Sequence, residues 1–175
     1  QYIDAGICSE NNARCVYSGM QLEPFIKSAP PPDWPSLVGQ SKSAPVVLML
    51  AAFEERKRHV PFLRVFQQVI DRVPDARLLL AGAGPQEASV RQAVIEMGLE
   101  DRVVFCGHRP DPGALLAVAD VCLLTSNREG LPRVVVQSLA AGCPVVVTWL
   151  PGIDEIVENG VNGIITDTDD LSEAA

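Results

Sequence analysis

With 175 residues, 47% of them hydrophobic and 21% charged, the chain has the make-up of one ordinary globular domain able to bury a core. Its formal net charge of −8, from 22 acidic against 14 basic residues, argues against nucleic acid or an anionic membrane surface as its main partner, so an anionic small ligand must find a locally positive pocket. No apolar run reaches the roughly 18 residues of a membrane span, and no basic-then-apolar leader opens the chain, which sets the expectation of a soluble, cytoplasmic domain.

In chain order, residues 1–27 contain the run "NARCVYSGMQLEPF", a strand-like stretch ending in a Ser18-Gly19 turn and expected to close a preceding domain or form an interdomain strand. Residues 28–44, with Pro30, Pro31, Pro32 and Pro35 among Ser, Gly and Lys and no helical or strand period, read as a Pro-rich linker. From 45 to 175 a rhythm sets in. Apolar runs of strand length (46–50, 76–82, 102–107, 121–126, 144–148, 163–166) alternate with helix-length segments. Strands apolar on both faces belong to buried parallel sheets with helical crossovers. The predicted fold class is therefore α/β: a doubly wound, Rossmann-like parallel sheet of about six strands with helices on both faces.

Helices are predicted at about 58–72, 86–97 (stopped by Gly98) and 111–119, with another opening at Pro132 and stopped by Gly142. The closing "TDTDDLSEAA" reads as the start of a further helix. Together with the lack of an initiator methionine, it leads us to expect a piece of a larger protein, truncated at its C-terminus.

The five cysteines, Cys8, Cys15, Cys106, Cys122 and Cys143, form no CxxC pair, and three sit in apolar runs; they read as small buried side chains in a reducing compartment. With His59 and His108 as the only histidines, a His-based triad or zinc cluster lacks parts, so no metal site is expected. There is neither a P-loop nor a nucleophile elbow.

In an open parallel sheet the ligand sits beyond the carboxyl ends of the strands, which directs attention to the loops there. "AGAGP" offers Gly82 and Gly84, but Glu87 stands where the dinucleotide fingerprint needs its third glycine; a tight turn and a direct ligand contact remain alternatives. "EERKRH" places Arg56, Lys57 and Arg58 after the first strand, either a solvated charge run or a phosphate-facing group. "SNREGLPRVVVQ" opens the Pro132 helix, whose unpaired N–H groups and partial positive charge form an anion site. There Gly130 permits close backbone approach and Glu129 can accept hydrogen bonds from a hydroxyl-rich ligand. Gln137 lies about 7–8 Å further along the axis. The alternative is that Glu129 merely favours the helix dipole and Gln137 lies on the surface.

These residues resemble the donor-binding half of the retaining glycosyltransferases of GT-B architecture, the family 4 or group 1 type. The likeness runs through "VYSGMQLEPF", "AAFEERKRH", "LLLAGAGPQ", "RVVFCGHRPD", "ADVCLLTSNREGLPRVVVQSLAAGCPVVVT" and "GIDEIVENGVNGII". The resemblance implies that Glu129 and Lys57 are the catalytic residues, with Glu129 on the transferred sugar and Lys57 on the diphosphate. It further implies that Gly130 and Leu131 meet the sugar and diphosphate through their backbone, that Gln137 meets the ribose, and that the base packs along Gly107, His108 and Arg109.

Three positions depart from the family pattern. Ala52 stands where an arginine usually shares the diphosphate with the lysine, with Arg56 or Arg58 as candidate substitutes. Gln137 replaces the second acid and offers one carbonyl acceptor, an exchange expected to cost about 1 kcal/mol in donor affinity. Ser18-Gly19-Met20-Gln21 replaces the usual interdomain Asn-Gly-Val-Asp.

The resemblance implies transfer of a sugar, with retention, from a nucleoside diphosphate sugar to an acceptor hydroxyl, as in polysaccharide biosynthesis. No metal or other cofactor is implied. The acceptor, a glycan or lipid-linked glycan, belongs to an N-terminal domain that would also carry any membrane association, so this half alone is expected to bind donor but transfer little. The alternatives are an inactive or regulatory nucleotide-sugar-binding module and a sugar-nucleotide epimerase of related architecture.

Overall fold

The computed structural model describes residues 3, 5–14, 16, 18–38 and 44–167; Cys15 lies outside them, as does all but the first two residues of the helix start expected in "TDTDDLSEAA" (166–175). Six strands, β1 (Val46–Leu50), β2 (Arg77–Ala81), β3 (Val103–Gly107), β4 (Val121–Leu124), β5 (Val145–Thr148) and β6 (Gly163–Thr166), form one sheet in the order β3-β2-β1-β4-β5-β6. Every pairing is parallel. This is the Rossmann-like doubly wound sheet, and its order reverses between β1 and β4, where such sheets open a ligand crevice.

The period-2 alternation of each strand sorts its apolar residues between two cores. Val47, Met49, Leu78 and Leu80 face Phe62, Phe66, Val90 and Val94, which belong to α3 (His59–Arg72) and α4 (Glu87–Glu96). Leu48, Leu79, Leu124 and Val147 face Leu115, Leu116 and Val135, which belong to α5 (Pro112–Leu116) and α6 (Arg133–Ala140). Leu48 pairs with Leu79 on one side and Cys122 on the other, so the centre of the sheet is covered on both faces. Cys8, Cys106, Cys122 and Cys143 are all free thiols, the last two buried. Among the described residues no helix is long and apolar enough to cross a membrane.

Several boundaries move. The stretch read as a linker carries α2 (Trp34–Val38): Val38 is buried, and Trp34 and Leu37 pack against the second core. Its prolines hid a helix whose apolar residues have a sheet face to cover. Just before it, α1 (Glu23–Ile26) precedes the expected linker, and no described residue of 12–22 is in a strand. The helix expected over 111–119 stops at Leu116, because the chain must turn back to place Asp120 beside β1; there the Asp120 carboxylate accepts the Val46 N–H at 2.7 Å. Pro132 is not in the first turn of α6 but caps it with non-helical backbone (φ −76°, ψ 74°).

The β1–α3 connection is a 3₁₀ turn, Glu55–Lys57, ended by Arg58 in the left-handed region (φ 57°). That reversal starts α3 at His59 and turns the imidazole inward, where it stacks on Phe53 with centroids 4.5 Å apart. Both ring nitrogens are buried without a hydrogen-bond partner. Burial, reinforced by the nearby Lys57 charge, pushes the His59 imidazole down to about 4. Between pH 6.5 and 4 the unfolded chain therefore takes up a proton that the folded chain refuses, so stability falls as pH falls through that window. The loss is on the order of 2 kcal/mol. His59→Phe should flatten this part of the stability curve, as read from urea midpoints at pH 7 and 4.5; slopes equal to the wild type would contradict the assignment.

Candidate functional site

At the reversal of strand order, the loop after β1 and the loop after β4 face each other across a cleft of about 470 Å³ lined by Ala52, Arg56, Lys57, Glu129, Leu131 and the first residues of α6. Backbone and side-chain bonds stitch the two loops together. Asn127 N–H donates to the Arg56 carbonyl at 3.1 Å, Thr125 Oγ1 donates to the Lys57 carbonyl at 2.7 Å, and Arg56 Nη1 donates to the Arg128 carbonyl at 3.3 Å.

Glu129 is the hub. One of its carboxylate oxygens accepts from Lys57 Nζ, the other from Arg56 Nη1 at 3.0 Å, while Arg56 Nε also reaches Glu54 at 2.6 Å. The Lys57 and Glu129 side chains are only 11% and 10% exposed, so this pair is shielded from solvent more than a surface ion pair is. Burial by itself drives the Glu129 carboxyl up; the hydrogen bond of Lys57, the nearby Ser126 hydroxyl and the charges of Lys57 and Arg56 overcome it, and the net direction is down. The sequence reading had Glu129 free to accept ligand hydroxyls or serving the helix dipole. In the structure it pairs with Lys57 and Arg56, two of the cations considered for phosphate.

The mouth of α6 opens onto the same cleft. With Pro132 non-helical, Arg133 N–H folds back to the Leu131 carbonyl (2.8 Å) and Val135 N–H to the Pro132 carbonyl (2.9 Å), while the amides of Leu131 and Val134 donate to no backbone carbonyl among the described residues. Such amides at the positive end of a helix suit an anion. A Cβ on Gly130 would meet nothing within 4 Å, so its bareness answers no packing need of the protein. Gln137, half-buried one turn further on, lines this cleft and also an adjoining cavity of about 560 Å³ walled by Met20, Phe25, Asp111 and Arg133.

Arg56, Lys57, Glu129, Leu131 and Gln137 thus converge on the cleft, with Gly130 beside them in the loop. Of the two candidate substitutes for the arginine missing at Ala52, Arg56 lines the cleft, whereas Arg58 lines a separate hollow with Glu55 and His59. Gly84, His108 and Arg109 do not line it. A Cβ at Gly84 would stand 2.6 Å from the Phe53 carbonyl oxygen, so this glycine lets the β2 loop lie on the β1 loop, the tight-turn alternative. Arg109 is clamped between Asp33 (2.8 Å) and Asp111 (2.7 Å). The hydrogen bonds of Asp111 and then Asp33 hold its guanidinium firmly protonated. His108 is exposed at the end of β3. Sequence reasoning missed Arg133, which lines both cavities; its signal was a cation at the first position of a helix, where the macrodipole disfavours one. Among the described residues no group of three or more His, Cys, Asp or Glu side chains could hold a metal ion.

A six-stranded parallel sheet of this order, with a helix mouth and a cationic cluster at its switch point, defines the Rossmann-like, nucleotide-binding class of domain. Residues 44–175 match the family model for Glycosyl transferases group 1, and the chain belongs to that family. It is similar to the N-acetyl-alpha-D-glucosaminyl L-malate synthase of Bacillus anthracis, 32% identical over 137 residues that make up 78% of this chain and 36% of the relative. The lipopolysaccharide core biosynthesis glycosyltransferase LpsE of Rhizobium meliloti is 32% identical over 127 residues, 73% of this chain and 36% of that one. Among solved structures, Anabaena Alr3699/HepE in complex with UDP-glucose superposes with a TM-score of 0.80 at 28% identity, over 99% of this chain and 48% of that one. The sheet is accordingly the Rossmann-like half of a GT-B fold. The chain spans about a third of these curated relatives and about half of that structure.

Because Glu129 ionises more readily folded than unfolded, its contribution to stability is complete above its ordinary value of 4.5 and is lost as pH falls below it. Glu129→Gln should therefore lower stability at pH 7 by about 1.5–3 kcal/mol, the range for a hydrogen bond to a charged group. The deficit should shrink as pH drops below 4.5. Urea denaturation of both proteins across pH 3–7 checks this; a deficit that stays constant with pH would show that Glu129 acts by shape alone.

Proposed function

We propose that the protein is the donor-binding half of a retaining glycosyltransferase that moves a sugar from a nucleoside diphosphate sugar to an acceptor hydroxyl. The observation that carries this reading is that Lys57 and the open amides at the start of α6 face one cleft, in a chain that belongs to the Glycosyl transferases group 1 family. A diphosphate is the group that such a pairing of ammonium and helix mouth suits. UDP and UDP-glucose in the HepE structures support a uridine donor among the candidates.

In this reading a phosphate oxygen competes with Glu129 for Lys57. The carboxylate, released in part, turns to the hydroxyls of the sugar and acts by positioning. The bond from the anomeric carbon to the phosphate oxygen breaks, the diphosphate keeps the bonding pair, and Lys57 with the α6 amides stabilises the growing charge. The acceptor oxygen bonds to the same face of that carbon, and its proton leaves with the diphosphate. We assign no metal or other cofactor to these steps, since the cations are the chain's own. Acceptor binding, and any hold on a membrane by an otherwise cytoplasmic enzyme, is assigned to the length of the relatives that this chain does not span.

A second reading, a nucleotide-sugar-binding module without turnover, is favoured by Ala52 and Gln137, which leave fewer charged contacts than the family pattern provides. Isothermal titration with UDP, GDP and ADP tests the donor site. At least one should bind, and Lys57→Ala should weaken it about 10–100-fold, equivalent to one charge-assisted contact. Undiminished binding by Lys57→Ala would refute the phosphate role. NMR analysis of the glycoside made by the full-length enzyme tests retention, and an inverted anomeric centre would exclude it.

A further inference from the structure

Three cations line the cleft, Arg56, Lys57 and Arg133, and they differ in what already engages them. Arg56 is held by Glu54 and Glu129, and Lys57 by Glu129. Arg133 is exposed and makes no side-chain hydrogen bond or ion pair among the described residues. It is the first residue of α6, and no acidic residue stands in that first turn. A guanidinium at the positive end of a helix is repelled by the macrodipole and by the open amides beside it, and an anion placed between them turns that repulsion into attraction. Local rules broken without an internal compensation mark functional positions.

Arg133 and Gln137 line both the cleft and the adjoining cavity of about 560 Å³, so Arg133 stands where the two spaces meet. A ligand whose phosphates lie against Lys57 and whose remaining part extends into the cavity must pass this guanidinium. Phosphate has to compete with Glu129 for Lys57 and Arg56; no carboxylate stands in the way at Arg133.

We propose that Arg133 is a direct contact for the donor's diphosphate, the one cation of the cleft with no carboxylate partner among the described residues. Its planar fork spans two phosphate oxygens, which an ammonium does not. This inference rests on the donor-site reading above and deepens it.

The test is titration of the wild type, Arg133→Ala and Arg133→Lys with UDP, GDP and ADP, and with the matching uncharged nucleosides, at two salt concentrations. For whichever diphosphate the wild type binds, Arg133→Ala should weaken affinity tenfold or more and flatten its salt dependence. Arg133→Lys should restore part of the loss, and nucleoside binding should not change. Urea midpoints of both variants should match or exceed the wild type, since the substitution removes no internal partner. If Arg133→Ala binds diphosphate as tightly as the wild type while Lys57→Ala does not, this inference falls and the donor site stands. Equal losses for nucleoside and diphosphate would also overturn it, by showing a role in shape rather than charge. If the wild type binds none of the three diphosphates, the donor-site reading falls with it.

Discussion

One carboxylate between two cations organises the working end of this domain. Glu129 stands on the loop after β4, Lys57 and Arg56 on the loop after β1, and the contacts span 72 and 73 residues of sequence. Partly buried, the three groups depend on one another: a lone Lys57 or a lone Glu129 in that position would carry the cost of desolvation with no partner to offset it. The pairing therefore fixes the separation of the two loops and with it the width of the cleft. It also sets the site's chemistry, because the group best able to displace a carboxylate from an ammonium is another dense anion.

The rest of the fold serves that arrangement. Parallel strands bring both loops to the same edge of the sheet, and the order reversal between β1 and β4 leaves a gap there that no crossover helix covers. Gly84 brings the β2 loop against Phe53 and so backs the β1 loop. On the other side, the Arg109 clamp on Asp33 and Asp111 ties the segment before the sheet to the β3–α5 loop. A Cβ on Gly113 would stand 2.2 Å from Ser28 Oγ, which shows how closely that segment seats on α5. These contacts raise the far wall of the second cavity, so residues near Met20 and Phe25 are brought beside Gln137. A chain of net charge −8 thus brings three cations to the place where the sheet opens and neutralises two of them with its own acids.

The sheet was legible in the sequence because a strand buried on both faces must be apolar at every position, a pattern that "VVLML" and "PVVVT" cannot hide. Lys57, Glu129 and the α6 mouth were also legible, as loop residues next to strand ends and a proline-glycine bracketed helix. What escaped was of longer range. Nothing local tells Lys57 that its partner is Glu129, and Gly84 looks the same whether backbone or ligand lies against it. Prolines made 28–44 look like a linker, yet Trp34, Leu37 and Val38 find a sheet face to cover. Arg133 was passed over because a lone arginine at a helix start carries no period, and only the cavities on either side give it meaning.

On the proposed function, a nucleoside diphosphate seats its phosphates between Lys57 and the open amides at the start of α6. Residue-resolved ¹H–¹⁵N NMR during titration with UDP, GDP and ADP addresses it most directly, because Leu131 and Val134 keep their amides unbonded to backbone and report any acceptor that arrives. Those two amides should show large downfield shifts that track binding, with smaller shifts around Lys57 and Gln137. Saturable binding that leaves Leu131 and Val134 unmoved, with the shifts elsewhere on the sheet, would contradict it.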